Sequence, residues 1–304
     1  MAKALRELIS EAEKNKVAIG HFNVSETVAL KGILQASFEI SKSRNILTPV
    51  IIGVSEGERE FFGVNEIAAV VRSLREKFDY PIFLNADHTR SLEKAKEAAQ
   101  AGFDAILFDP FGGAQGRAGN SSFEENIKKT KEAVQIIKHI NPDILVEGEL
   151  GYIGSSSTIF ESVPEGAVIK EEDMTTPEQA ARFVGETKVD LIGPAVGNIH
   201  GMFKDAPNPH LNIERIKQIK EASGVPLVLH GGSGITDEDF LLAINAGISI
   251  IHINTEIRLA WRKGLDKAIS ENKDEIVPYK LLESVVEEVK KVVEYKLKLF
   301  NKIA

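Results

Sequence analysis

No cysteine occurs among the 304 residues. Disulfides, thiol nucleophiles, iron–sulfur clusters and cysteine-ligated zinc are therefore excluded together. Any metal site must be built from His, Asp and Glu, which turns attention to the seven histidines. Positive charge is also in deficit, with 37 Lys and Arg against 45 Asp and Glu for a net charge of −8. That balance argues against a nucleic-acid groove as the main function. Nor is there an apolar run approaching the roughly 20 residues that cross a bilayer. The first residues, MAKALRELISEAEKNK, form a charged amphipathic helix pattern rather than a signal peptide, so the expected address is the cytoplasm. What the chain does have is a hydrophobic content of 43%, enough to fill a sizeable core.

Short apolar runs alternate with helix-period segments. The runs are Val17–Phe22, Pro49–Val54, Pro81–Asn85, Asp104–Phe108, Ile144–Glu147, Val189–Pro194, Pro226–His230 and Ile248–Ile253. Each is continuous rather than alternating in polarity, as expected of parallel strands covered on both faces. Helix patterns lie between them, with Ser91 and Thr236-Asp237 as start signals and Gly102, Gly224 and Gly247 as stops. Eight such units predict an α/β fold, a closed (β/α)8 TIM barrel, for which about 250 residues is typical. The excess goes to an extra N-terminal helix and to a C-terminal helical extension over Pro278–Phe300. Two aperiodic loops, Pro110–Ser122 and Gly151–Thr176, take the rest. A doubly wound open sheet is the weaker reading, because no G-x-G-x-x-G follows the first strand. With no internal linker, residues 1–304 read as one domain.

In a parallel barrel, strand ends and the loops after them converge on one mouth. His88, His200 and His230 fall at or just beyond the ends of strands three, six and seven. Neutral imidazoles arriving from separate strands are a common way to hold catalytic zinc with one position open. Each alone could equally bond a loop; the coincidence of three favours ligation. His139 and His210, late in a helix and in a proline-rich loop, read as structural. Asp87 precedes His88, and because Ser91 is the better helix cap, Asp87 is free for proton transfer. Asp109 and Glu149, at neighbouring strand ends, form a candidate second divalent-metal position, or else a solvated pair of carboxylates. The segments His230-Gly231-Gly232-Ser233-Gly234 and Asn254-Thr255 both lead into helices, which suits a phosphate.

These residues sit within GHFNVSE, PVIIGVSEG, FEENIKKTKE, VEGELG, AVGNIHGMFK, LVLHGGSGITDEDF and HINTE, in that order along nearly the whole chain. Together they resemble the class II, zinc-dependent fructose-bisphosphate aldolases, a family that includes tagatose-bisphosphate aldolases. The resemblance implies that His88, His200 and His230 bind zinc and that Asp87 is the proton donor and acceptor. It implies a second metal position at Asp109 and Glu149. Asn23, Ser55, Gly201, Gly231, Gly232, Ser233, Asn254 and Thr255 match positions that bind substrate or its phosphate, and His252 stands among them. The implied reaction is reversible cleavage of a ketose bisphosphate, fructose 1,6-bisphosphate first, to dihydroxyacetone phosphate and glyceraldehyde 3-phosphate. A homodimer or homotetramer acting on a small sugar phosphate is implied as well; any monovalent-cation requirement stays open.

The chain departs from the family pattern at the far side of the substrate. Acidic residues usual soon after ELG-x-x-G are replaced by Gly154-Ser155-Ser156-Ser157-Thr158, and the nearest acids are Glu161 and Glu165. His252 stands where Asn is usual. A C-terminal Asp-Pro-Arg becomes Val277-Pro278-Tyr279, so Arg258, Arg262 and Arg117 are the candidates for a distal anion. These changes admit two alternatives: a related zinc aldolase with another aldehyde partner, and a non-catalytic sugar-phosphate binding protein. Metal-dependent hydrolysis fits less well, because a phosphate cradle beside Asp87 suits carbon–carbon chemistry.

Overall fold

The structure, a computed structural model, describes residues 3–111, 123–154, 158–160, 171–204 and 208–303. Eight parallel strands close into a barrel: β1 (Ile19–Asn23), β2 (Val50–Val54), β3 (Ile82–Thr89), β4 (Ala105–Phe108), β5 (Leu145–Leu150), β7 (Leu191–Pro194), β9 (Leu227–Leu229) and β10 (Ile248–Ile253). The expected runs and the observed strands coincide one for one. Two further short strands, β6 (Ile159–Phe160) and β8 (Met202–Phe203), pair beside the barrel and were not foreseen. Each has only two residues, too few for a periodicity.

Helices α2 (Thr27–Arg44), α4 (Val64–Phe78), α5 (Leu92–Ala101), α6 (Phe123–Ile140), α7 (Pro177–Thr187), α8 (Ile213–Ser223), α9 (Asp237–Ala246) and α10 (Thr255–Glu271) cover the outside. A short α3 (Glu56–Phe62) follows β2. The start and stop signals act locally as expected. Ser91 Oγ accepts from Lys94 N at 3.2 Å, and Gly102 ends α5 at φ +88°. The extension is α11 (Pro278–Phe300), with proline in its first turn; Val285, Val289, Val293, Leu297 and Phe300 are buried against its own barrel. No helix among the described residues is long and apolar enough to cross a membrane.

Alternation along each strand layers the barrel interior. The lowest layer is apolar and takes one residue from every strand: Ile19, Ile51, Phe83, Ala105, Leu145, Leu191, Val228 and Ile250. Leu5, Leu8, Ile9 and Ala12 of α1 (Leu5–Asn15) pack onto that ring and plug the barrel's N-terminal end. One step of two residues up each strand reaches His21, Gly53, Asn85, Leu107, Glu147, Gly193, His230 and His252. Five of these eight are polar, two are glycine, and Leu107 is the one hydrocarbon side chain left. The next step reaches Asn23, Ser55, Asp87, Asp109 and Glu149 at the open end. The plug therefore leaves one mouth for solvent and ligand.

Candidate active site

Asp87 and His88 end β3 in an unusual backbone state. His88 has φ +43°, in the left-handed region that a residue with a Cβ seldom occupies. Arg59 of α3, fully buried, braces this turn: its guanidinium donates to Val54 O at 2.6 Å, Asp87 O at 3.1 Å and Thr89 Oγ1 at 3.1 Å. The turn brings His88 against His200 and His230, with ring centroids 4.9 and 5.3 Å away.

Each of these three imidazoles has one nitrogen tied from behind. His88 Nδ1 lies 3.0 Å from Asp109 Oδ2, His200 Nδ1 is 2.7 Å from Gly154 O, and His230 Nε2 is 2.7 Å from Glu147 Oε1. The acceptors fix the tautomers, leaving His88 Nε2, His200 Nε2 and His230 Nδ1 to face one another. Ligand atoms of the three lie within 4.8 Å of each other, and His230 Nδ1 is buried without a hydrogen-bond partner among the described residues. This donor set fits a divalent ion such as zinc.

The surrounding charge points the same way. Burial opposes a charge on His88, yet Asp87, Asp109 and Glu149 around it raise its pKa to about 10. Burial, and then the charge of Asp109, push Glu149 up to about 8. His200 is driven down to about 3 by burial and by its histidine neighbours, which keeps it neutral and fit to ligate. Too many carboxylates share the space for water alone, and a cation would balance them. His88, Asp109 and Glu149 form a second grouping within 4.8 Å, and both Glu149 oxygens lack a hydrogen-bond partner among the described residues.

Asp87 sits beside the triad, its Oδ1 3.9 Å from His88 Nε2. Asn23 Nδ2 donates to its Oδ2 at 2.9 Å, whereas Oδ1 has no hydrogen-bond partner among the described residues. Burial favours the neutral acid, but His88, His252 and His21 together outweigh it and hold Asp87 well below the usual carboxylate range. The carboxylate is thus anchored by one oxygen and available through the other. Against its far side stand His252, with Nδ1 3.5 Å from Oδ1, and His21, stacked on His252 at 3.4 Å between centroids and 3° between planes. Burial drives His21 down to about 4 and His252 well below its usual value, so both are neutral.

The opposite wall is backbone. Gly231 has φ +62°, and a Cβ there would lie 2.1 Å from Ile199 O, so glycine is required where this loop crosses the one carrying His200. Gly201, Gly232, Ser233, Asn254 and Thr255 line the same cavity as Asn23, Ser55, Asp87 and the triad. Thr255 opens the 17-residue α10 at the cavity, where Glu256 N donates to Ser233 Oγ at 3.2 Å and ties the helix's first turn to the glycine-rich loop.

The family model described as fructose-bisphosphate aldolase class-II matches residues 3–303. The chain belongs to the class II fructose-bisphosphate aldolase family. It is 32% identical over 301 residues to a fructose-bisphosphate aldolase of Staphylococcus aureus, covering 98% of this chain and 96% of the relative. A probable fructose-bisphosphate aldolase of Bacillus subtilis is 31% identical, covering 98% and 97%. Among solved structures, the YdjI aldolase from Escherichia coli K12 superposes with a TM-score of 0.78 at 33% identity, covering 99% of this chain and 97% of that one. Members are lyases, and this chain is an aldolase with their TIM-barrel fold.

Most of the residues expected at the aldolase's mouth meet there; a few do not. Arg258 lines the cavity. Arg262 lies one turn further along α10, about 6 Å beyond Arg258 along the axis. Its side chain is 70% exposed and paired with Asp266 at 2.8 Å, away from the cavity lining. Glu161, Glu165 and Arg117 lie outside the described residues. His210 bonds Asp239 at 2.8 Å and His139 is exposed on α6, and neither lines the cavity. Sequence reasoning missed Arg90 on the cavity lining, and Glu58 and Arg59 behind it. All three depend on α3 or on the β3 turn, which carry no apolar period. It also assigned nothing to His21 or Glu147, although both are polar residues at inward positions of the strands.

Proposed function

We propose that the aldolase cleaves a ketose bisphosphate reversibly, with zinc held by His88, His200 and His230, to dihydroxyacetone phosphate and an aldehyde. Fructose 1,6-bisphosphate, giving glyceraldehyde 3-phosphate, is the first substrate to test. The observation that carries this reading is the convergence of three imidazoles, each anchored from behind, beside a carboxylate with one oxygen unpartnered. Bound zinc would supply Lewis acidity toward the ketone oxygen. Asp87 Oδ1 takes the proton from the hydroxyl whose carbon becomes the aldehyde and returns it in condensation. Asn23 keeps Oδ2 in place while this happens. Gly201, Gly232, Ser233, Asn254 and Thr255 hold the phosphate of the dihydroxyacetone half, at the end of the cavity where α10 begins. Asp109 and Glu149 offer a second divalent position. By resemblance the reading extends to the cytoplasm and to a homodimer or homotetramer.

A second reading keeps this half of the reaction and changes the aldehyde. It is favoured by the departure from the family pattern near the chain's C-terminus. Tyr279, at the family's arginine position, is 68% exposed and off the cavity, whereas Arg258 and Arg90 line it. An aldehyde panel in the condensation direction separates the two readings; clear preference for glyceraldehyde 3-phosphate excludes the second. For the reaction itself, Asp87→Asn is expected to lower cleavage by about 10²–10⁴-fold, and a zinc chelator to abolish it. Activity indifferent to both would sink the reading.

A further inference from the structure

Asn23 spends both of its amide hydrogens on carboxylates. Its Nδ2 is 2.9 Å from Asp87 Oδ2 and 3.0 Å from Glu58 Oε2. Both partners are acceptors, so the amide orientation follows from chemistry: nitrogen must face them. A donor already used twice cannot also grip a phosphate. What Asn23 presents is its Oδ1, buried and without a hydrogen-bond partner among the described residues. That oxygen suits a substrate hydroxyl rather than an anion.

Glu58 arranges this. Its Oε2 also accepts from Ser55 N at 2.8 Å, closing the capping box of α3, and its Oε1 meets Arg258 Nη2 at 2.7 Å. Glu58 itself is buried, whereas the Arg258 side chain is 49% exposed at the cavity rim. One buried carboxylate thus connects the ends of β1 and β2 to α10 and, through Asn23, to Asp87. Partly buried charge-assisted bonds of this kind are strong and directional.

We propose that Glu58 is a positioning residue that couples Arg258, at the cavity rim, to Asp87 through the Asn23 amide. Glu58 fixes the amide rotamer, the amide fixes Asp87 Oδ2, and Arg258 holds Glu58 from the solvent side. The proposal rests on the reading of Asp87 as the proton-transfer group.

The test is a double-mutant cycle on the full-length, zinc-loaded protein, with Glu58→Gln, Arg258→Gln and both together. Glutamine keeps an oxygen for Asn23 and Ser55 but loses the pairing with Arg258. Each single change is expected to lower kcat for cleavage by about tenfold, and the double change by about tenfold rather than a hundredfold, because the two act as one unit. Glu58→Ala, which also releases Asn23, is expected to lower kcat further. In all of them dihydroxyacetone phosphate should bind within about twofold of wild type by calorimetry, a readout that general loosening would move. Unchanged kcat in Glu58→Gln, additive losses in the double variant, or an equal loss of dihydroxyacetone phosphate binding would each overturn the coupling. Asp87→Asn is run in parallel. If it cleaves normally, the proposed function fails and the coupling with it; if it is inactive while Glu58→Gln is fully active, only the coupling fails.

Discussion

His88, His200 and His230 on one side of the pocket, and His21 and His252 on the other, are the same chemical group in one barrel mouth. Their surroundings make them different devices. In the triad, each remote nitrogen meets an oxygen at 2.7–3.0 Å, from Asp109, Gly154 and Glu147, and the rings stand at 56–73° to one another. Their in-plane lone pairs can therefore converge on a point. The other two rings lie parallel, 3.4 Å apart. An imidazole binds an ion in its own plane, so two stacked rings cannot both direct a lone pair at one ion. His21, Asp87 and His252 do have ligand atoms within 4.8 Å, but the ring orientation denies them a metal. Proximity gathers donors, and the partner behind each ring decides what it can do.

Space is reserved for both groups by glycine. A Cβ on Gly193 would lie 2.6 Å from the His230 ring, and one on Gly53 would lie 2.0 Å from His21. Each sits on the strand next to the imidazole, at the same level of the barrel, where any side chain would displace the ring.

The largest way to break the comparison is to remove a ligand. His230→Ala is expected to leave less than about a tenth of wild-type bound zinc and only background cleavage, as judged by metal analysis of the purified protein alongside an activity assay. Retained stoichiometric zinc would mean that the triad is not the metal site. A smaller effect is expected from the partner behind the ligand. Glu147→Ala removes the carboxylate at His230 Nε2, frees the tautomer, and should weaken zinc by about 10–100-fold in competition titration. Unaltered affinity would show that His230 is aimed by packing alone.

How much of this was legible follows the same division. The barrel was, because eight continuous apolar runs have few other uses, and α11 was, because Pro278 opens a stretch with valines at helical spacing. His88, His200 and His230 were visible because strand ends are where a barrel keeps its chemistry. His21, Asn85 and Glu147 were less so, since they occupy runs that read as uniformly buried. Their signal is a polar residue two positions beyond the apolar ring of Ile19, Phe83 and Leu145, a step that becomes meaningful only once the register is known. Arg59 and Glu58 lie on α3, whose seven residues offer no period to detect. Arg262 misled because residues four apart share a helix face; what differs is height along the axis, and a turn was enough to carry it past the mouth.

The smallest effect sharpens the comparison most. His252→Asn removes one ring of the stack and its 3.5 Å contact with Asp87, while leaving every atom of the triad and of its acceptors in place. A stacked aromatic pair contributes about 0.5–1.5 kcal/mol beyond the area it buries, so the melting midpoint should fall by only a few degrees. Zinc affinity should stay within about twofold of wild type, in contrast to the 10–100-fold loss expected for Glu147→Ala. Cleavage should fall by less than about tenfold, since Asn23 still anchors Asp87 Oδ2. If His252→Asn weakened zinc as much as Glu147→Ala does, the stack would be part of the metal site after all. The distinction drawn from ring planes would then be wrong, because His230, whose ring centroid is 4.2 Å from that of His252, would be held by its neighbour rather than by its carboxylate.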